Sequence, residues 1–286
     1  MLKGLLSLAF KVSRFRFWIY TAGTYIVGYS MGMGTWSDFF NPEYFMYLVY
    51  FFLPANVFIY GFNDYWDQKT DKYNPKKNQR EYKVNETERR DLLLLLYLMS
   101  GISLTLLLFQ KNIMEQLVFL SFLFLSYFYS AKPIRFKAIP FLDFASNVLY
   151  VMPGILGYYQ VSGSFPPILV VFSGFAHTSA MHLFSAIPDI EYDKKVGIIT
   201  TAVLLKKKLS LFVCFTFWLT LSTIVVFLSN YNPLSFLVFI YPIIPLTLLI
   251  KRELNIEKIY WYYPFINTSL GLGLGFLFVS LSVGKI

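Results

Sequence analysis

Nine stretches of apolar sequence, each close to the length that crosses a hydrocarbon core, divide this chain at about 15–33, 43–62, 92–109, 114–131, 140–160, 166–188, 209–229, 234–250 and 261–283. A bilayer offers no water to satisfy backbone N–H and C=O groups, and a helix closes those bonds within one segment. The pattern predicts an all-α polytopic membrane protein with nine transmembrane helices, although Pro54, Pro153, Pro242 and Pro245 interrupt several runs. Composition agrees, since 56% of the residues are hydrophobic and only 14% are charged, far from an ordinary soluble domain. Residues 1–286 read as one membrane domain. Spans two and six both end in acidic motifs, which suggests a pseudo-repeat.

Lysine and arginine give the orientation. If every run crosses, all but two of the 25 cationic residues fall on one side, and only Lys111 and Lys285 fall on the other. The positive-inside rule then places the N-terminus and both acidic motifs in the cytoplasm, in an integral protein of a prokaryotic cell membrane. Leu5 to Phe10 is followed by Lys11, Arg14 and Arg16 without a small-residue cleavage site, so it reads as an interfacial lead-in and not as a signal peptide. Cys214 stands alone inside an apolar run, which excludes an intramolecular disulfide or a thiolate metal cluster.

Directly after the second run stands Asn63-Asp64-Tyr65-Trp66-Asp67-Gln68-Lys69-Thr70-Asp71. On a continuing helix, Asp64, Asp67 and Asp71 share one face at i, i+3 and i+7, with Asn63 over Asp67. Two carboxylates about 5 Å apart repel by roughly 3 kcal/mol at an effective dielectric near 20, so such a face calls for a cation. An all-oxygen donor set suits Mg²⁺, which keeps several waters and is completed by substrate phosphates. After the sixth run, Asp189 and Asp193 again share a face at i, i+4, while Glu191 points about 200° away toward water. Two acidic clusters at the ends of hydrophobic helices suggest two halves of one diphosphate site.

A third polar element on the same side, Tyr129-Ser130-Ala131-Lys132-Pro133-Ile134-Arg135-Phe136-Lys137, carries three cations in six residues. They are either topogenic charges or fixed positive charge for diphosphate oxygens, with Arg135 offering a bidentate fork and Lys132 and Lys137 point charges. The 63–91 segment mixes both signs (Lys76, Lys77, Arg80, Glu81, Lys83, Glu86, Glu88, Arg89, Arg90) and reads either as a short helix over the site or as a solvated loop touching anionic lipid.

Taken together, Asn-Asp-x-x-Asp-x-x-x-Asp at 63–71, Asp-x-x-x-Asp at 189–193, Tyr-Ser-x-x-Pro-x-Arg-x-Lys at 129–137 and nine runs resemble the UbiA superfamily of intramembrane prenyltransferases over nearly the whole chain. The segments Leu53-Pro54-Ala55-Asn56, Tyr60-Gly61-Phe62-Asn63-Asp64, Arg135-Phe136-Lys137, Pro140-Phe141-Leu142-Asp143, Ile187-Pro188-Asp189-Ile190-Glu191 and Thr200-Thr201-Ala202 are most similar to its lycopene elongase branch. The resemblance implies helices bundled around a central cavity, a prenyl diphosphate held through Mg²⁺ by Asp64, Asp67, Asp71, Asp189 and Asp193, and a lipophilic acceptor arriving from the lipid side. Asn63, Lys132, Arg135, Lys137, Tyr129, Tyr60 and Arg16 are then the expected substrate-binding residues. No nucleic acid and no obligatory protein partner is implied.

Other residues leave alternatives open. His177 and His182, about 140° apart on a helix, do not form a zinc pair and read as buried, hydrogen-bonded histidines. Asp143 and Asn147 either line the cavity or join helices. Arg14 and Arg16 either reach substrate or serve topology. Gly271, Gly273 and Gly275 read as close helix packing. Competing functions are prenylation of an aromatic acceptor in quinone biosynthesis, a secondary transporter and a membrane scaffold. Transporter sites favour the midplane of interrupted helices, whereas these acids sit at helix ends.

Overall fold

In a computed structural model that describes residues 2–71, 82–251 and 253–283, the chain is helical, with no strand among those residues. The helices are α1 (Leu2–Val12), α2 (Ala22–Gly32), α3 (Pro42–Phe52), α4 (Pro54–Asp71), α5 (Arg89–Leu108), α6 (Ile113–Phe128), α7 (Leu142–Ala145), α8 (Met152–Ser162), α9 (Ile168–Ala186), α10 (Ile190–Lys195), α11 (Thr201–Leu228), α12 (Ile240–Ile250) and α13 (Ile256–Val283). Among them, Pro42–Gln68, Glu86–Leu108, Ile168–Lys195, Thr201–Leu228 and Pro233–Ile250 are long and apolar enough to cross a membrane. This is a helical membrane protein. Of the other apolar runs, the fourth forms the shorter α6, the ninth forms the 28-residue α13 with Pro264 inside it, and the first and fifth are broken. The first is a 3₁₀ turn (Phe15–Tyr20) before α2, and the fifth is divided among α7, a 3₁₀ turn (Ser146–Tyr150) and α8.

The N-terminal segment forms α1, whose Leu5, Leu8, Ala9 and Val12 recur at helical spacing and pack against Leu92 and Leu96 of α5. Residues 72–81, with Lys76, Lys77, Arg80 and Glu81, lie outside the described residues.

Two helix breaks show how polar side chains replace missing backbone bonds. Pro54 has no N–H to continue α3, so carbonyls at its end need other donors. Asn56 Nδ2 donates to Phe51 O and Phe52 O, both at 2.9 Å, and Thr21 Oγ1 donates to Phe51 O at 2.7 Å. In α13, Pro264 cannot donate to the Tyr260 carbonyl one turn earlier. Arg16 supplies that bond at 3.2 Å, donates to Trp261 O as well, and stacks its guanidinium 3.6 Å from the Trp261 ring centre.

Core packing falls into two aromatic clusters. Tyr25, Tyr47, Phe51, Phe119 and Phe122 fill the space between α2, α3 and α6, while Phe184, Trp218, Tyr241 and Tyr263 join α9, α11, α12 and α13. Tyr20 borders both. The tightest crossing joins α2 to α8: a Cβ on Gly28 would stand 1.9 Å from Gly154 O, and one on Gly157 would stand 2.8 Å from Tyr25 O. Small residues let helices in lipid approach this closely. Gly271, Gly273 and Gly275 meet nothing within 4 Å, which corrects the close-packing reading, and two of them, Gly271 and Gly275, border the cavity described next.

Candidate active site

A cavity of about 660 Å³ runs along α9, from Asp189 and Asp193 beyond its C-terminal end to Val170 and Pro166 at its start. The nineteen-residue separation of Val170 and Asp189 corresponds to about 28 Å of helix. Asn63, Tyr60, Tyr129, Lys137, Arg14 and Arg16 line the same cavity as the two acids.

Continuous helix through Asp71 gives α4 the register expected of the first motif. Asp67 is fully buried and bound by three donors: Ser130 Oγ at 3.2 Å, Arg135 Nη2 at 3.1 Å, and Lys137 Nζ. Arg135 reaches it from a left-handed backbone conformation (φ 51°), which turns the chain so that Arg135 and Lys137 converge. Asp64 is held by Arg14 at 2.9 Å, and Arg14, also left-handed, covers the Tyr60 ring at 4.7 Å. The Tyr60 and Tyr150 hydroxyls lie 3.1 Å apart. The side chain of Asp71 lies outside the described residues.

On the opposite wall, Pro188 sits in a 3₁₀ turn (Ile187–Asp189) that leads into α10. Gly197, at φ +73°, then allows the tight turn in which Ile198 N–H donates to Asp193 O at 2.9 Å. Thr200 Oγ1 donates to Asp193 at 3.4 Å. Glu191 is exposed and pairs with Lys194, as its opposite helix face predicted. Tyr129, on the cavity wall, lies within electrostatic reach of Asp143, Asp67 and Asp193, and so of both motifs.

Several residues take places that the sequence left open. Lys132 is exposed and does not line the cavity. Arg16 lines it while bound to the Tyr260 and Trp261 carbonyls. Asp143 is fully buried and accepts from Thr201 N–H at 2.7 Å, from Thr201 Oγ1 and from Phe144 N–H at 2.9 Å. It therefore ties α7 to the exposed amide end of α11. Asn147 donates to Asp143 O at 2.7 Å and lines the cavity. His177 and His182 also line it, edge-on to Tyr241 and Tyr129 respectively. His177 Nδ1 is buried without a hydrogen-bond partner, which corrects the expectation of a hydrogen-bonded histidine at that position. Tyr150 was missed because nothing in its own segment distinguishes it from other aromatic residues.

Among the described residues, no three carboxylate, histidine or cysteine side chains gather tightly enough to hold an ion by themselves. That arrangement fits Mg²⁺, which takes one or two carboxylates and completes its shell with phosphate oxygen and water. The oxygen donors of the two motifs that line the chamber are Asn63, Asp189 and Asp193, while Asp64 and Asp67 are buried beside it against Arg14, Arg135 and Lys137.

An acid-and-base cradle at one end of a long apolar chamber is an arrangement for a charged head group with a lipophilic tail. The sequence profile of the UbiA prenyltransferase family matches residues 16–258, and the chain belongs to that family: it is a prenyltransferase. Its relatives narrow the kinship. The lycopene elongase/hydratase of Haloferax volcanii is 38% identical, with 91% of this chain and 85% of the relative covered. The protein of the same name from Halobacterium salinarum is also 38% identical, over 92% of this chain and 94% of its own. Among solved structures, a UbiA homolog from Archaeoglobus fulgidus bound to GPP and Mg²⁺ aligns with a TM-score of 0.72 at 20% identity, over 94% of this chain and 98% of that one. The apo UbiA homolog of Aeropyrum pernix K1 aligns at 0.68 with 15% identity, covering 96% and 99%. These two likenesses concern the fold.

Proposed function

We propose that this protein transfers the prenyl group of an allylic prenyl diphosphate to the end of an acyclic carotenoid such as lycopene, with Mg²⁺ as cofactor. The observation that carries the acceptor is where the chamber keeps its cations. Arg14, Arg16 and Lys137 are the lysine and arginine residues among its lining, all at the acidic end, and Arg16 is engaged with two backbone carbonyls. Deeper, the wall is apolar or uncharged, so a hydroxybenzoate carboxylate would meet no cation there, and an unpaired charge is expensive to bury. A polyene carries no charge to compensate. The names of the haloarchaeal relatives agree with this acceptor.

Asp64, Asp67 and Asp71 of the first motif and Asp189 and Asp193 of the second would hold the metal, with Asn63 beside them. When bound, Mg²⁺ neutralises charge that develops on the departing diphosphate. The chain's own contribution is positioning and electrostatics. Arg135 and Lys137 supply fixed positive charge beside the diphosphate. Tyr60, Tyr129 and Tyr150 present aromatic surface to the allylic cation, and the apolar wall excludes water from it. We read the chain as one domain crossing a prokaryotic cell membrane nine times, with these groups at the cytoplasmic face and no obligatory protein or nucleic-acid partner.

Membranes containing the protein, given dimethylallyl diphosphate with lycopene or with 4-hydroxybenzoate, test the reading. Prenylated lycopene in Mg²⁺, lost on chelation, is expected. Efficient prenylation of 4-hydroxybenzoate with none of lycopene would transfer the site to an aromatic acceptor.

A further inference from the structure

Midway down the apolar chamber, rings from three elements line its wall: Tyr20 from the turn before α2, His177 from α9 and Tyr241 from α12. Asn267 of α13 joins two of them. Tyr241 Oη donates to Asn267 Oδ1 at 2.6 Å, and the same amide side chain hydrogen-bonds the Tyr20 hydroxyl. The His177 ring stands edge-on to Tyr241, with centres 4.9 Å apart. Behind Tyr241, the rings of Trp218 and Tyr263 lie at 24° and 9° to its plane. Toward the acidic end, Tyr20 stacks on Phe17 and meets Tyr150 edge-on, and both of those line the chamber as well. The polar atoms of Tyr20, Tyr241 and Asn267 are therefore turned to one another. What the group offers an occupant is ring surface, fixed in orientation by those bonds and by the stack behind, beside the aliphatic side chains of Val27, Leu221, Val238 and Leu270.

Such a wall discriminates only between occupants that gain differently from it. A chain whose double bonds are separated by methylene groups gains little more from a ring than from a leucine of the same area, since burial and dispersion are what it has to offer. A conjugated chain is flat and carries π density, so it can take the offset-stacked and edge-to-face arrangements that rings take with one another, which add to burial. It is also stiff, and ordering it against a fixed surface loses less entropy than ordering a chain that turns freely at its single bonds. His177 lies twelve residues, about 18 Å of helix, from Asp189, with metal, diphosphate and the transferred group between them. The rings therefore meet the acceptor several carbons past its reacting double bond. We propose that Tyr20, His177 and Tyr241 select the acceptor by conjugation: the enzyme extends a chain whose conjugation runs up to its end groups and discriminates against one with the same end groups but isolated double bonds behind them. The proposal rests on the carotenoid reading above. It makes desaturation of the chain the class of reaction that must supply this substrate, because the reacting end itself is the same before and after that step.

The test sets lycopene against phytoene, which has the same end groups and is conjugated only at its centre, in one vesicle preparation with the protein, dimethylallyl diphosphate and Mg²⁺. The ratio of prenylated lycopene to prenylated phytoene reads their relative kcat/KM and does not depend on how much of a variant folds. Wild type should favour lycopene by at least about tenfold, the sum of several ring contacts. His177→Leu and Tyr20→Leu, which put aliphatic surface in place of a ring, should each lower the ratio about two- to tenfold, whereas His177→Phe, which keeps a ring, should hold it near the wild-type value. Comparison of variant with wild type in identical vesicles cancels any difference in how the two hydrocarbons partition. A wild-type ratio near one or below overturns the proposal and leaves the acceptor reading standing, and so does a ratio that neither leucine variant moves. A ratio that falls as far in His177→Phe as in His177→Leu assigns the effect to the imidazole nitrogens and overturns it too. Prenylation of neither hydrocarbon by the wild type is a different result: it overturns the acceptor reading, and this proposal with it.

Discussion

Asp67 carries two roles that the sequence presents as one. As a motif carboxylate it is proposed to hold metal, which would let Asp67→Ala lose turnover while staying folded. The structure adds that Arg135 and Lys137 converge on it in a buried place, so its removal leaves two cations facing each other. We expect Asp67→Ala to abolish turnover and also to lower stability by about 2–3 kcal/mol, less than a wholly buried pair because Arg135 keeps 24% of its side-chain surface. Thermal unfolding in detergent measures this, with Asp67→Asn as the milder companion. Arg135→Ala should weaken inhibition by inorganic diphosphate, a loss of about 2–5 kcal/mol for a desolvated charge contact; inhibition unchanged from wild type would confine Arg135 to holding Asp67. Asp38, in the turn between α2 and α3, gives a pH effect. Backbone N–H groups of Thr35 and Gly34 hold its carboxyl below the ordinary value of 3.8. A depressed carboxylate stabilises its turn fully above that ordinary value and loses the contribution as pH falls through the lower one. Amide exchange at Thr35, compared at pH 5 and pH 3, should accelerate beyond the intrinsic rate only at the lower value.

At the scale of elements, apolar run length was a reliable guide to helices and a poorer guide to their continuity. The break in run one was not legible, and Pro54 and Pro153 marked interruptions in runs two and five without showing which distant donors replace the lost bonds. Asn56 can stabilise the α3–α4 junction only once α2 brings Thr21 beside it. Glycine was misread for a related reason, since a helical glycine shows nothing of what faces it. The paired expectation is direct. Gly28→Ala must push α2 from α8 and should cost at least the 1–3 kcal/mol usual for overpacking, with reduced yield of monodisperse protein. Gly273→Ala meets open space on a helix and should cost nothing, or gain up to about 1 kcal/mol in helix propensity. Size-exclusion profiles and unfolding temperatures of the two variants check both directions.

Over the whole molecule, the acidic motifs were legible because carboxylates at the ends of hydrophobic helices are costly, and cost narrows the reasons for keeping them. The rest of the chamber's lining was not, since Tyr20, Tyr241 and Asn267, which border it, lie far apart in the chain and each looks ordinary in its own segment. The charge asymmetry predicts that a cysteine replacing Lys111 is labelled from outside intact cells and one replacing Lys195 is not; the native Cys214, fully buried, adds little background. Equal labelling would undo the nine-crossing orientation. The bond between Arg16 and the Tyr260 carbonyl has a temporal consequence. Arg16 leaves the ribosome more than two hundred residues before its partner does, and α13 contributes Asn267, Leu270 and Gly271 to the chamber. Until that last segment is inserted, the chamber is a trough open along one flank to lipid. Synthesis in the membrane therefore closes the chamber last, at a seam joining the first and final segments of the bundle.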